Sequence, residues 1–148
     1  YQPGNMIDKI QDFCMEYYQK KPESPGEIVS CIYYSLALKY RWCIEKLASL
    51  TGRNFSVINI IGGGSNSRLM CQITSNVCGL PVTAGPADAT SAGNLLVQMQ
   101  AAGAVQSISE GCVILNRCIV QQHYDPSPEK NWDKIYQEFV QTFHLDQE

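Results

Sequence analysis

Residues 55–61, FSVINII, form an almost unbroken apolar run rich in β-branched side chains, and the run ends in three consecutive glycines, Gly62, Gly63 and Gly64. β-Branched residues are restricted in helices and pack well on a pleated surface, so the run predicts a strand. Because successive positions are apolar, it suits a central strand of a parallel sheet covered on both faces. Beyond the glycines, Leu69, Ile73 and Val77 recur at helical spacing up to Gly79, and LPVTAG (80–85) predicts a second strand. Strand, helix and strand in that order imply a right-handed parallel crossover. The glycines therefore stand where a strand hands over to a helix. Backbone N–H groups and the positive end of a helix dipole converge there, which is the chemistry of an anion site. Each glycine costs backbone entropy and contributes no side-chain packing. Without a Cβ, Gly62, Gly63 and Gly64 let the main chain approach a phosphate, and Ser65, Asn66 and Ser67 can cap the helix or donate to a ribose or base. A tight turn that holds nothing is the competing reading of the same residues.

Flanking segments are mainly helical by periodicity. Met6, Ile10, Phe13 and Tyr17 predict a helix over 5–20, and KKPESPGE (20–27) a loop from which Ser24 or Pro25 opens a second helix. Along that helix Ile28, Ile32, Leu36, Tyr40, Cys43, Leu47 and Leu50 form a stripe ending at Gly52, and the helix is expected to cover the sheet. The tyrosines at 17, 18, 33, 34 and 40 are expected to pack between helices. DATSAGNLLVQMQAAG (88–103) predicts a helix whose inner face is small at Ala89, Ala92 and Gly93. Residues 105–117 predict another, HYDPSPEKN (123–131) a loop, and Trp132, Ile135, Phe139 and Phe143 a last amphipathic helix. Two strands make a poor sheet by themselves. Together with an opening at Tyr1 and no cap of its own, that predicts a piece of a longer protein whose other strands lie elsewhere.

Charged residues are 17% of the 148, against roughly 25% in ordinary domains, which implies surface meant to be covered. A net charge of -3 with scattered Lys and Arg gives no nucleic-acid footprint. No apolar run reaches the length of a membrane span, and the amino end has no signal-peptide pattern. The 7 cysteines include no C-x-x-C pair, favouring reduced thiols in the cytoplasm and roles as small buried hydrophobes. His123 and His144 are the only histidines, have no ligand spacing, and are expected at the surface rather than in a metal or catalytic site.

Two familiar phosphate motifs fail. The dinucleotide fingerprint fits Gly62 and Gly64 but needs glycine where Ser67 stands, and no Gly-Lys-Ser/Thr run supports a P-loop. GGGSNSRLMCQITSNVCGLPVTAGPADATSAGNLLVQ (62–98) instead resembles the carboxy-terminal domain of the FGGY carbohydrate kinases, and the resemblance extends over about residues 3–125. PGEIVSCIYYSLALKYRW (25–42) and AGPADATSAGNLLVQMQAAG (84–103) narrow it to a branch that phosphorylates a ketose at its 1-hydroxyl. The resemblance implies an α/β, ribonuclease H-like domain of the actin, Hsp70 and sugar kinase superfamily, truncated and helix-rich, with a small parallel sheet.

It also implies ATP with Mg2+ as cofactors. Gly62, Gly63 and Gly64 fall on that superfamily's adenosine motif, with Ser65, Asn66 and Ser67 at its ribose and adenine rim. Residues 88–94 resemble its second connecting motif at the interdomain hinge, with Asp88 where the family usually has glutamate. Sugar contacts and the catalytic aspartate belong to a preceding amino-terminal portion, and Asp8, Asp12, Asp88, Asp125 and Asp133 all lie in the wrong context for that base. The chain is thus expected to be a single carboxy-terminal, nucleotide-side domain, partnered by ATP or ADP and the amino-terminal kinase domain. It meets the sugar only through that domain, carries no catalytic residue and is inactive alone.

Overall fold

The computed structural model describes residues 4–127 and 131–147. In chain order it contains α1 (Met6–Tyr18), α2 (Pro25–Thr51), β1 (Ile58–Ile60), a 3-10 helix (Gly62–Asn66) and α3 (Arg68–Cys78). There follow β2 (Val82–Ala84), α4 (Ala89–Ala101), α5 (Ile108–Cys118), β3 (Gln122–Tyr124), α6 (Trp132–Thr142) and a closing 3-10 turn (Leu145–Gln147). Helix ends follow the capping chemistry of the sequence. Asn5 caps α1 through the Ile7 N–H, so the amino end does have a cap, contrary to expectation, and Ser24 with Glu27 forms a reciprocal capping box on α2 with Pro25 inside it. Gly52 and Gly79 end α2 and α3 in left-handed conformations, φ +65° and +66°, which glycine adopts without steric cost.

The sheet differs from expectation in two respects. Strand order is β1-β2-β3, so β1 is an edge strand and β2 is central. β1 and β2 run parallel as expected, but β3 adds antiparallel to β2, making the sheet mixed rather than parallel. Gln122–Tyr124 overlaps the segment expected to be a loop, of which residues 128–130 lie outside the described residues. Ile58, Val82 and Tyr124 align in one register row, and Ile60, Ala84 and Gln122 in another. Val82 and Ala84 bury themselves against Cys71 of α3 with Ile58, Ile60 and Tyr124 around them. On the opposite face Asn59, Thr83 and His123 form the polar row, with Thr83 Oγ1 3.2 Å from His123 Nδ1.

α2 does not lie on the sheet. It packs on α3, and α3 lies between it and the strands. The larger core joins Ala37 and Leu38 of α2, Ile73 and Val77 of α3, and Tyr136 and Phe139 of α6, with Leu145 closing it. Tyr33, Tyr34, Trp42 and Trp132 pack around this core. The stripe expected to be buried is therefore largely open: Ile32, Leu36, Tyr40, Leu47 and Leu50 are exposed, Leu50 to 75%. Tyr17 and Tyr18 are exposed as well, although Tyr17 stacks on Phe13 with ring centroids 4.4 Å apart. Phe55, Val57 and Ile61 beside β1 are exposed as well, and Tyr40 of α2 borders β1, while Ile32 and Leu36 face a hollow shared with α1.

α4 pairs with α5. The close approach is made by Gly111 of α5, where the Leu96 side chain occupies the space a Cβ would need. Gly93, expected on the inner small face of α4, is instead exposed, and a Cβ there would meet nothing within 4 Å.

Burial pushes the Cys78 thiol from its ordinary 9.0 up to about 12, with Arg41 opposing the shift and Glu45 adding to it. The folded state thus holds this proton more tightly than the unfolded chain does. Its contribution is complete below pH 9.0 and is lost as pH rises toward 12. Cys78→Ala is expected to make stability fall less steeply between those limits in urea denaturation at stepped pH. An unchanged slope would remove Cys78 from the alkaline transition.

Candidate functional site

The strand-to-helix junction is tied to the segment after β2 by two backbone bonds. Gly85 N–H donates to the Ile60 carbonyl and Gly62 N–H to the Pro86 carbonyl, both at 2.9 Å. Gly62 has φ +76°, a conformation that disfavours any L side chain, so the turn itself requires glycine there. Gly63 and Gly64 are different. Neither has a positive φ. A Cβ on Gly63 would meet nothing within 4 Å, and one on Gly64 only the Ile60 Cγ2 at an ordinary 3.7 Å. Nothing inside the described chain requires glycine at either position.

Ser65, Asn66 and Ser67 take three distinct positions. Ser65 is buried, and its hydroxyl donates to the Gly62 carbonyl at 2.7 Å, closing the 3-10 helix on itself. Asn66 is exposed, and its side chain has no hydrogen-bond partner among the described residues. Ser67 caps α3: its Oγ accepts from the Met70 N–H at 3.3 Å and lies 3.4 Å from the Tyr33 hydroxyl of α2. Below them the Cys71 thiol donates to the Gly64 carbonyl at 3.9 Å, and burial raises the pKa of that thiol, so it stays protonated.

The six residues do not line one hollow. Ser65 and Asn66 wall an open cleft of about 330 Å³ whose other sides are the segment 84–88 and Ile119, Val120 and Gln122. Gly64 lines a second, mainly apolar hollow of about 380 Å³ between α2, β1 and α3, with Tyr40, Ile58, Ile60, Met70 and Thr74. Gly63 is exposed beside them. Thr74 Oγ1 is buried and lacks a hydrogen-bond partner among the described residues, a state that costs roughly 1–3 kcal/mol.

Asp88 is the charged side chain of the first cleft and stands at the N-cap of α4 without making a side-chain cap bond. The walls from 84–87 and 119–122 were not foreseen as site residues. Gly85-Pro86 is a dipeptide of the kind that marks turns, but only the β1-β2 register carries it beside the glycines. His123 and His144 are exposed and stand apart from both hollows. Among the described residues there is no group of three or more metal-ligating side chains and no helix long and apolar enough to cross a membrane.

Two of the three glycines thus have no internal need, and their turn feeds a helix N-terminus beside an open cleft. The FGGY family of carbohydrate kinases, C-terminal domain, matches residues 2–102, and the chain belongs to this family. It is 45% identical to the rhamnulokinase of Ligilactobacillus salivarius over 139 residues, 94% of this chain and 28% of that protein. Against the rhamnulokinase of Enterococcus faecalis it is 42% identical over 146 residues, 97% of this chain and 30% of that protein. Against that of Bacillus subtilis it is 38% identical over 142 residues, 95% of this chain and 29% of that protein. The chain thus spans under a third of the length of the curated relatives it matches.

Proposed function

We propose that the chain is the carboxy-terminal, nucleotide-side domain of an ATP-dependent cytoplasmic kinase that converts L-rhamnulose to L-rhamnulose 1-phosphate. Its fold is assigned to the ribonuclease H-like group that includes actin, Hsp70 and the sugar kinases. The observation that carries the reading is the pair Gly63 and Gly64, which the chain's own geometry does not require to be glycine. Their missing Cβ atoms leave main chain accessible from outside at the positions where the family resemblance puts the nucleotide phosphates. Rhamnulokinases are its relatives over nearly its whole length, which supports the choice of sugar.

The residues fit a nucleotide held by main chain rather than by side-chain cations. The 11-residue helix α3 turns its positive end toward the junction, and Ser67 fixes that end by capping it. Ser65 holds the 3-10 helix rigid, and the exposed Asn66 amide is placed to recognise a ribose or base. The Asp88 carboxylate, which lines the cleft, would hold a magnesium ion through its water shell, and that ion would supply charge neutralisation to the phosphates. Nothing among the described residues supplies a base for the sugar hydroxyl. We assign that base to the amino-terminal part, which would also cover the apolar surface around β1 and the hollow containing Thr74.

Full-length protein is expected to phosphorylate L-rhamnulose with ATP and magnesium in a coupled ADP-release assay. Residues 1–148 alone are expected to give no turnover above the uncatalysed rate. Sugar phosphorylation by the isolated chain would overturn the division of labour, and a full-length preference for xylulose or fuculose would overturn the substrate.

A further inference from the structure

Three polar side chains of α3, Gln72, Ser75 and Asn76, reach the main chain that leaves β3, and the function proposed above uses none of them. Positions three and four apart share one side of a helix. Ser75 Oγ, fully buried, donates to the Tyr124 carbonyl at 3.0 Å, and Gln72 Nε2 donates to the Asp125 carbonyl at 2.9 Å. Asn76 Oδ1 accepts from the Ser127 N–H at 2.9 Å and from Gln72 Nε2 at the same distance.

Asn76 holds this network together. Only an oxygen can face the Ser127 N–H, so the bonding itself fixes which way the Asn76 amide points. The same oxygen takes one hydrogen of the Gln72 amide, which leaves the other aimed at Asp125. β3 needs such a hold. It has three residues, of which Gln122 and His123 are exposed and Tyr124 is half-buried, so apolar burial does little to keep it on β2. Gln122, with Ile119 and Val120 just before it, is a wall of the cleft that Ser65 and Asn66 also line. Helix α3 thus meets that cleft twice: its Ser67 cap follows the glycine turn, and its polar side carries the chain that continues from the far wall.

We propose that Asn76 is a positioning residue for the nucleotide, which through Gln72 and the main chain of 124–127 keeps the 119–122 wall at its working distance from the glycine turn. The inference rests on the nucleotide reading of that turn. Gln72, Ser75 and Asn76 do not line the cleft, so none of them touches the nucleotide itself. A wall that contacts the nucleotide equally before and during transfer affects binding alone, so displacing it raises KM for MgATP and leaves kcat in place.

The test is steady-state kinetics of the full-length protein with MgATP varied at saturating L-rhamnulose, beside thermal melts and a Mg-ADP titration of the unsubstituted protein. Asn76→Leu is expected to raise KM for MgATP about fivefold with kcat within about twofold. Asn76→Asp keeps an oxygen for both donors, and should return KM to within about twofold of the unsubstituted value. Gln72→Met keeps the side-chain length without its donors and should match Asn76→Leu. The double variant should be no worse than either single one, because one network is broken in all three. Unchanged KM in Asn76→Leu and Gln72→Met, even with a lowered thermal midpoint, would overturn the proposal, as would Asn76→Asp behaving like Asn76→Leu. If Asn76→Leu does not fold, Gln72→Met decides. Failure of both to fold would assign the network to the fold alone and overturn the proposal too. Absence of Mg-ADP binding by the unsubstituted protein would overturn the nucleotide reading and this inference with it, whereas binding there with unchanged KM in the variants would overturn this inference only.

Discussion

Replacing Gly63 by valine in the full-length protein is expected to weaken Mg-ADP binding at least about tenfold, a loss of roughly 1.4 kcal/mol, while leaving the thermal midpoint nearly unchanged. The two halves of that expectation have separate causes. For stability, the new Cβ meets nothing within 4 Å and the backbone is not left-handed, so the folded state accepts it. Any residue other than glycine also lowers the entropy of the unfolded chain, which offsets small losses. For binding, an isopropyl group would stand where a phosphate is proposed to meet the main chain. Gly62→Ala makes the contrast. At φ +76° the substitution costs about 1–2 kcal/mol in the fold, so weaker binding there would be inseparable from a disturbed turn. Calorimetric titration beside thermal melts of both variants separates the effects. Wild-type affinity in Gly63→Val would reduce the three glycines to a turn.

What was legible in the sequence followed from local chemistry. Ser24, Ser67, Gly52 and Gly79 punctuate α2 and α3 because caps and left-handed ends are set by the residue at the position. β3 escaped because Gln122, His123 and Tyr124 carry no apolar alternation. Pairing with β2 makes it a strand, helped by Ser75 Oγ donating to the Tyr124 carbonyl and Gln72 Nε2 to the Asp125 carbonyl. Both bonds come from α3, some fifty residues earlier in the chain.

α2 was misread for another reason. It has apolar residues on two sides, and the longer stripe through Leu36, Tyr40 and Leu47 is not the one that meets α3. The face that does is marked by Ala37, fully buried and small enough to let helices approach, with Tyr33, Tyr34 and Trp42 around it. Periodicity reports that a face is apolar, not which partner covers it. Two apolar sides on one helix, read together, indicate two coverings, of which the described residues complete the one made by α3 and α6. The candidate site divides in the same way: the glycines and serines were visible as a strand-to-helix junction and Asp88 as the start of a connecting motif, but the walls from 84–87 and from Ile119, Val120 and Gln122 arrive only through sheet register.

Arg41→Ala is expected to destabilise the joint of α2, α3 and α6 by roughly 3 kcal/mol in all, because one guanidinium joins three helices. It donates to Asp133 of α6 at 2.7 Å, to Glu45 one turn along α2 at 3.0 Å and to the Val77 carbonyl of α3 at 3.3 Å. Its plane also lies 4.4 Å from the Tyr136 ring. Desolvation pulls its pKa down, but the bonds to Asp133 and Glu45 more than compensate, so the charge is kept. The exposed carboxylate contacts contribute little, about 0.5 kcal/mol each, since the Asp133 side chain is 81% exposed. More comes from the partly buried bond to Val77, where a charged donor is worth about 1.5 kcal/mol or more, and from the ring contact, about 0.5–1 kcal/mol. Asp133→Asn should therefore cost only about 0.5 kcal/mol, and Arg41→Lys should fall between the two because a lysine cannot reproduce the fork. Hydrogen exchange of the α6 amides in the full-length protein reads the α6 share, about 1–1.5 kcal/mol from Asp133 and the ring, as roughly 5- to 12-fold faster opening in Arg41→Ala. Equal rates in Arg41→Ala and Asp133→Asn would mean that the ion pair to Asp133 is all that Arg41 contributes to α6, the ring contact adding nothing.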